Sequence, residues 1–285
     1  MYILNRLKWK YNNLFFIPTH IDIELNNNCN QKCLSCWHNG KPPFEIKSMP
    51  LGKVKDVILQ AHTMGIKFVK FNLRGEPLLY NDLLEVLRYA KAKNLYTMIN
   101  TNGIKINNNL DIFKHLDEII VSVDSFYMTT YCRLHNCKTS DFYMLMENLK
   151  LLQKLKKDGE IKTKLKINIH INKYNLREDI TEFMFKYRWF KFVVRNTMKR
   201  EGQDTSIDIK KTRTKNCYHV SRRITVLSNG NVYPCCVCYN DPKDIRIGTN
   251  YNIVNSVYSL KRRSIKHDWS NFKTCKGCTS ADNLK

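Results

Sequence analysis

The chain has 285 residues, enough for one large α/β domain and a smaller appendage, and its 43% apolar content is ample for a core. A mean hydropathy of -0.46 and the lack of any long uncharged apolar run argue against a transmembrane span. The formal charge of +23 raises nucleic acid as a partner, but the lysines are spread along an Asn-, Lys- and Ile-rich chain without a recognised binding motif, so nucleic acid is not favoured.

Eleven cysteines, an odd number with no secretion signal, read as reduced, metal-binding thiols of a cytoplasmic protein and not as disulfides. Residues 1–17 form a leader whose apolar stretch is too short and broken for a signal peptide. Leu4, Leu7, Leu14 and Phe15 set against its lysines fit an interfacial helix or a segment packed on the following domain.

Residues 20–25 alternate apolar and polar as a first strand, and Asn26-Asn27-Asn28 leads from its end into Cys29, Cys33 and Cys36. Residues 51–64 read as a helix stopped at Gly65, and 67–73 as a second strand. Asn81 caps a helix to residue 93, with Leu83, Leu84, Leu87 and Ala90 as its apolar stripe. Strands at 96–100, 118–123, 164–171 and 190–195 alternate with helices at 111–115, 141–157 and 176–187.

Six strand–helix alternations imply a parallel sheet with helical crossovers. Six units fall short of the eight of a closed barrel, so an open, partial (β/α)6 barrel is expected. Active sites of such folds gather at the C-terminal ends of the strands. The cysteine loop after strand one and Arg74-Gly75-Glu76-Pro77 after strand two both lie there. From residue 197 the pattern changes: a polar linker at 204–215, a hairpin over 223–233 turning at Ser228-Asn229-Gly230, and a helix at 253–266 predict a small C-terminal α+β unit.

Thiolates are soft ligands suited to iron–sulfur clusters, copper(I) or zinc. Three close cysteines leave a cubane cluster one ligand short, with one iron open. Spacing alone also allows a structural zinc site completed by His38 or a distant cysteine, or unrelated buried thiols.

The order Cys29-x3-Cys33-x2-Cys36, Gly-Glu-Pro after the second strand and a run of βα units resembles the radical S-adenosylmethionine (radical SAM) enzymes over residues 18–200. The resemblance implies a [4Fe-4S] cluster on these three cysteines, its fourth iron chelated by S-adenosylmethionine. It also implies a 5'-deoxyadenosyl radical that abstracts a substrate hydrogen, and a low-potential electron donor such as flavodoxin or ferredoxin. Gly75 and Glu76 match the element that holds the methionyl amine, although Arg74 stands where the family usually has a second glycine. Ser35, Ser122, Asp124 and Asn196 match further cofactor-facing positions, and Arg133 is a candidate for the cofactor carboxylate. Helix capping is the plain alternative for Ser122 and Asp124.

Cys217, Cys235, Cys275 and Cys278, with Gly230 before Cys235, resemble a twitch domain, a shortened SPASM domain with one auxiliary [4Fe-4S] cluster, over residues 201–285. A zinc ribbon is the alternative, and Cys236 and Cys238 compete as ligands. Cys132 and Cys137 read as structural thiols. Arg74 and Arg195, at strand ends, are the candidate substrate-binding residues, with His38, Tyr127 and Tyr131 behind them. Within the resemblance, oxidation of a small polyhydroxylated substrate, sugar-alcohol or aminocyclitol-like, leads. A peptide-modifying enzyme is the alternative, and a zinc-stabilised nucleic-acid-binding protein is the reading from another class.

Overall fold

The computed structural model describes residues 17–36, 45–196, 218–236, 238 and 240–276. The expected leader helix and the 204–215 linker lie outside them. Six strands, β1 (His20–Ile23), β2 (Phe68–Phe71), β3 (Tyr96–Thr101), β4 (Glu118–Ser122), β5 (Lys164–Ile171) and β6 (Lys191–Asn196), pair in parallel, each with the next. Parallel neighbours need crossovers. Helices supply most of them: α1 (Leu51–Thr63), α2 (Leu83–Ala92), α3 (Met128–His135), α4 (Thr139–Lys157) and α5 (Thr181–Lys186). The order of the six strands never reverses, and the sheet stays open, as six βα units predict.

Side chains alternate across the strands because the β period is two. Ile21, Ile23, Val69, Phe71, Ile99, Ile119, Val121 and Ile167 are fully buried in the main core with Val54, Val57 and Ile58 of α1, Val86 and Leu87 of α2 and Leu145 and Leu149 of α4. The opposite parity, the lumen face, carries Asp22, Lys70, Asn100, Glu118, Lys166 and Asn168, and ion pairs link several of these residues across it.

The C-terminal hairpin does more than follow the barrel. β7 (Arg223–Val226) pairs in parallel with β1, from His20↔Arg223 to Ile23↔Val226, and β8 (Val232–Tyr233) runs back along it. The sheet therefore has eight strands, in the order β6-β5-β4-β3-β2-β1-β7-β8.

After α6 (Tyr218–Arg222) and the hairpin, the helix expected at 253–266 is two, α7 (Ile253–Tyr258) and α8 (Leu260–His267). Ser259 breaks it by acting as the second helix's N-cap, its hydroxyl accepting from the Arg262 N–H at 3.2 Å. A second apolar cluster gathers Val220, Leu227, Tyr233, Cys235, Cys238, Ile245, Ile265 and Cys275. No helix among the described residues is long and apolar enough to cross a membrane.

Candidate functional site

The loop after β1 is fastened on two sides. Glu76 donates its backbone N–H to the Asn28 carbonyl at 2.8 Å, and the Asn26 amide donates to the Glu76 carbonyl at 3.1 Å. This approach requires glycine at position 75, because a Cβ there would stand 2.2 Å from the Asn26 carbonyl oxygen. On the other side, Lys32 N–H donates to the His135 carbonyl at 3.3 Å and Leu34 N–H to the Leu134 carbonyl at 2.8 Å, docking the loop on the last turn of α3.

Cys29, Cys33 and Cys36 are each half-buried. The Cys33 Sγ lies 3.2 Å from His135 Nδ1, and the Asn102 amide lies 3.9 Å from the Cys29 Sγ. Burial pushes the Cys29 thiol up to about 12, with Glu76 adding to the effect. Burial pushes Cys33 well above the ordinary range, and Cys36 and Cys29 add to it. A metal's positive charge reverses this balance and turns a buried thiol into a thiolate ligand. Cys36 acts electrostatically on both Cys29 and Cys33, so the three thiols share one neighbourhood. A cubane cluster takes such thiolates one per iron. Three neighbouring thiols on a loop at the strand ends fit the cluster.

Glu76 is buried, and its carboxylate accepts from Leu78 N–H at 3.0 Å, the Thr101 hydroxyl at 2.7 Å and Asn102 N–H at 2.8 Å. Burial raises its pKa against these donors. The expected hold of the carboxylate on an amine therefore meets a group already occupied by three protein donors. Glu76 organises the ends of β2 and β3 and, through its backbone, the cysteine loop.

Arg74, the expected substrate-binding arginine, is paired with a carboxylate of its own chain. Arg74 is buried, its Nε and Nη2 each 2.5 Å from the carboxylate of Glu24, itself fully buried. The same carboxylate accepts from Ser228 N–H at 3.1 Å and the Ser228 hydroxyl at 2.7 Å. A guanidinium forked onto a buried carboxylate is a clamp between β1, the loop after β2 and the hairpin.

Asp124 follows β4 with φ +58°. Its Oδ1 accepts from His170 N–H at 2.8 Å, its Oδ2 lies 3.5 Å from His135 Nε2, and its carbonyl accepts from the Asn175 amide at 2.6 Å. Burial opposes ionisation, but the His170 and His135 contacts outweigh it and hold this carboxyl below its ordinary value. Ser122 is half-buried on the lumen face, and Ser35 is half-buried in the cysteine loop. Arg133 is exposed, its guanidinium 4.1 Å from the centre of the Tyr174 ring. Arg195 is exposed on β6 in register with His170, and Asn196 closes the strand opposite Ile171.

Sequence reasoning missed His135, because α3 mixes polar and β-branched residues and was not predicted. Its imidazole stands between Cys33 and Asp124 and stacks on Tyr131, ring centres 4.2 Å apart. Also missed were the buried Asn72 and Asn100 Oδ1 atoms, which have no hydrogen-bond partner among the described residues. The alternation of β2 and β3 was the signal that could have found them. In the second cluster, Cys235 and Cys275 are buried together with Cys238, while Cys236 stands close enough to Asp22, Arg223 and Lys70 to feel their charge. Cys217, Cys278 and His38 lie outside the described residues.

The family model of the Radical SAM superfamily matches residues 23–187, and that of the SPASM iron-sulfur cluster-binding domain matches residues 217–279. The chain is similar to the S-adenosylmethionine-dependent nucleotide dehydratase of Selenomonas ruminantium, 26% identical over 170 residues, 56% of this chain and 59% of that protein. The dehydratase of Fibrobacter sp. (strain UWH6) is 26% identical over 200 residues, 67% of this chain and again 59% of the relative. The chain thus spans less than two thirds of the length of these curated relatives. Among solved structures, Streptococcus suis SuiB bound to S-adenosylmethionine superposes with a TM-score of 0.70 at 15% identity, over 95% of this chain and 74% of that one. BtrN in complex with AdoMet and 2-DOIA superposes with a TM-score of 0.61 at 16% identity, over 92% of each chain. With the first family model covering more than half of its length, the chain belongs to the radical SAM superfamily, whose [4Fe-4S] cluster and S-adenosylmethionine it uses together with an auxiliary iron–sulfur cluster in a C-terminal SPASM domain.

Proposed function

We propose that this radical SAM enzyme oxidises a small polyhydroxylated substrate held in the lumen of the partial barrel. Cys29, Cys33 and Cys36 hold the first cluster, and Cys217, Cys235, Cys275 and Cys278 the second. Bound there, the cofactors would supply hydrogen-atom abstraction and an acceptor for the second electron. A low-potential donor such as flavodoxin or ferredoxin provides the initiating electron.

The chain's own residues orient and enclose. Gly75 and Asn26 bring the cysteine loop against the β2 end, Glu76 fixes the β3 end, and the Glu24–Arg74 clamp ties both to the hairpin. The lumen carries the reading on substrate class. Asn72 and Asn100 turn buried, unpartnered amide oxygens toward it, and an unsatisfied buried acceptor costs about 1–3 kcal/mol. Hydroxyl donors of a polyol satisfy both.

The test is anaerobic incubation of reconstituted enzyme with S-adenosylmethionine, dithionite and polyols deuterated on carbon. The expected result is roughly eight irons per chain and deuterium in 5'-deoxyadenosine. Zinc in place of iron, or no cleavage by iron-loaded protein, overturns the reading. Deuterium taken up only from a peptide redirects it to a peptide-modifying enzyme.

A further inference from the structure

The lumen face is rich in charge, and its carboxylates are already spoken for. Glu24 is held by Arg74 at 2.5 Å, Asp22 by Arg223 at 3.0 Å and Glu118 by Lys166 at 2.7 Å. Among the described residues these three acids are each matched by one cation, and further cations of the same face are left over, Lys70 and Arg195 among them. Lys70, in the middle of β2, shares the face of Asp22 but forms no ion pair with it, and its ammonium has no hydrogen-bond or ion-pair partner among the described residues. Arg195, at the end of β6, is exposed and close enough to act on Lys70 electrostatically.

A cation kept inside a lumen without a counter-charge is costly, since desolvation opposes the charged form. Burial accordingly lowers the pKa of Lys70; Asp22 works against this, and Arg223 and Arg195 add to it. Fold stability is better served by an apolar side chain at this position, so a ligand is the natural source of the missing negative charge. Above Lys70 along the same strands stand the unpartnered amide oxygens of Asn72 and Asn100. A molecule lying across these groups meets cations at one part and hydrogen-bond acceptors at another.

We infer that Lys70 and Arg195 form a subsite for an anionic group, a phosphate or a carboxylate, borne by the polyhydroxylated substrate. This rests on the proposed function and narrows it: neutral polyols and amine-bearing cyclitols lack the charge that the lumen is built to receive. The roles differ. Lys70, half-buried, sets where the anion sits, and Arg195, exposed, closes on it from the rim.

The test is calorimetric titration of the anaerobically reconstituted holoenzyme with two probes, inorganic pyrophosphate and malonate. Saturable binding of pyrophosphate with little of malonate points to a phosphate, and the reverse points to a carboxylate. Lys70→Met and Arg195→Met should each weaken the preferred probe by about 10- to 100-fold, the loss expected for one hydrogen bond to a charged group. Lys70→Arg should retain most of the binding. Lys154→Met, on the exposed face of α4, should leave it unchanged. The subsite is refuted if wild-type enzyme binds neither probe at millimolar concentration, or if Lys154→Met weakens binding as much as Lys70→Met. Binding by Lys70→Met at wild-type strength refutes it equally. S-adenosylmethionine cleavage by the same wild-type preparation separates the two ideas. Cleavage without anion binding removes the subsite alone, whereas anion binding without cleavage removes the proposed reaction.

Discussion

Replacing Arg74 by Met tests whether this residue is a clamp or a substrate ligand. The substitution keeps an unbranched stem and takes two hydrogen bonds of 2.5 Å from the Glu24 carboxylate, where both side chains are at most 1% exposed. Ser228 still donates to Oε1, but Oε2 loses the guanidinium. Removing one partner of a buried pair costs about 3–5 kcal/mol, because the other charge stays buried without compensation. At about 2–4 °C per kcal/mol for chains near this size, the apparent Tm should fall by roughly 6–20 °C. Thermal unfolding followed by circular dichroism under anaerobic conditions reads the effect. Lys114→Met provides the contrast, since its pair with Asp111 is 74% and 72% exposed and its loss should leave the Tm essentially unchanged. The double variant Glu24→Gln/Arg74→Met should cost less than the sum of its parts, because the two groups act as one unit. If Arg74→Met unfolds like wild type and instead raises KM for the substrate, the clamp is wrong and the guanidinium faces the ligand.

Gly75→Ala should abolish cluster incorporation while leaving the protein folded, because the new Cβ would sit 2.2 Å from the Asn26 carbonyl and force the cysteine loop away; iron analysis after reconstitution reads this. Replacing Cys29, Cys33 and Cys36 together by Ala should lower iron from roughly eight to about four per chain and stop 5'-deoxyadenosine formation. Loss of all iron would show that the ligands have been divided wrongly between the two sites. Asp124→Asn keeps a residue type tolerant of positive φ and removes the charge that His170 and His135 favour. Because the folded carboxyl lies below its unfolded value of about 3.9, its stabilisation is present above that pH and lost as pH falls through the folded value. The variant should therefore be less stable than wild type at neutral pH, and the difference should shrink below about pH 4; a difference independent of pH would show that the charge is not involved.

Much of the cofactor loop was legible because it is local. The spacing of Cys29, Cys33 and Cys36, the alternation of residues 20–25 before them and Gly75-Glu76 after the next strand are all short-range signals. What Arg74 does was not legible, because its partners are 50 residues back at Glu24 and, through that carboxylate, at Ser228 in the hairpin. His135 escaped for a related reason. Its helix buries only Tyr131, Leu134 and His135 and so lacks a strong apolar stripe, yet tertiary packing sets its imidazole against Cys33.

The sequence by itself determined the strand–helix alternation, the open sheet and the two groups of cysteines, since side-chain periodicity and ligand spacing are properties of neighbouring residues. Only the tertiary structure decided that the C-terminal hairpin joins the same sheet beside β1. It alone decided which cations are consumed by buried carboxylates and which are left facing the lumen. Charge pairing across a curved sheet depends on register and depth, and neither is written in the order of the residues.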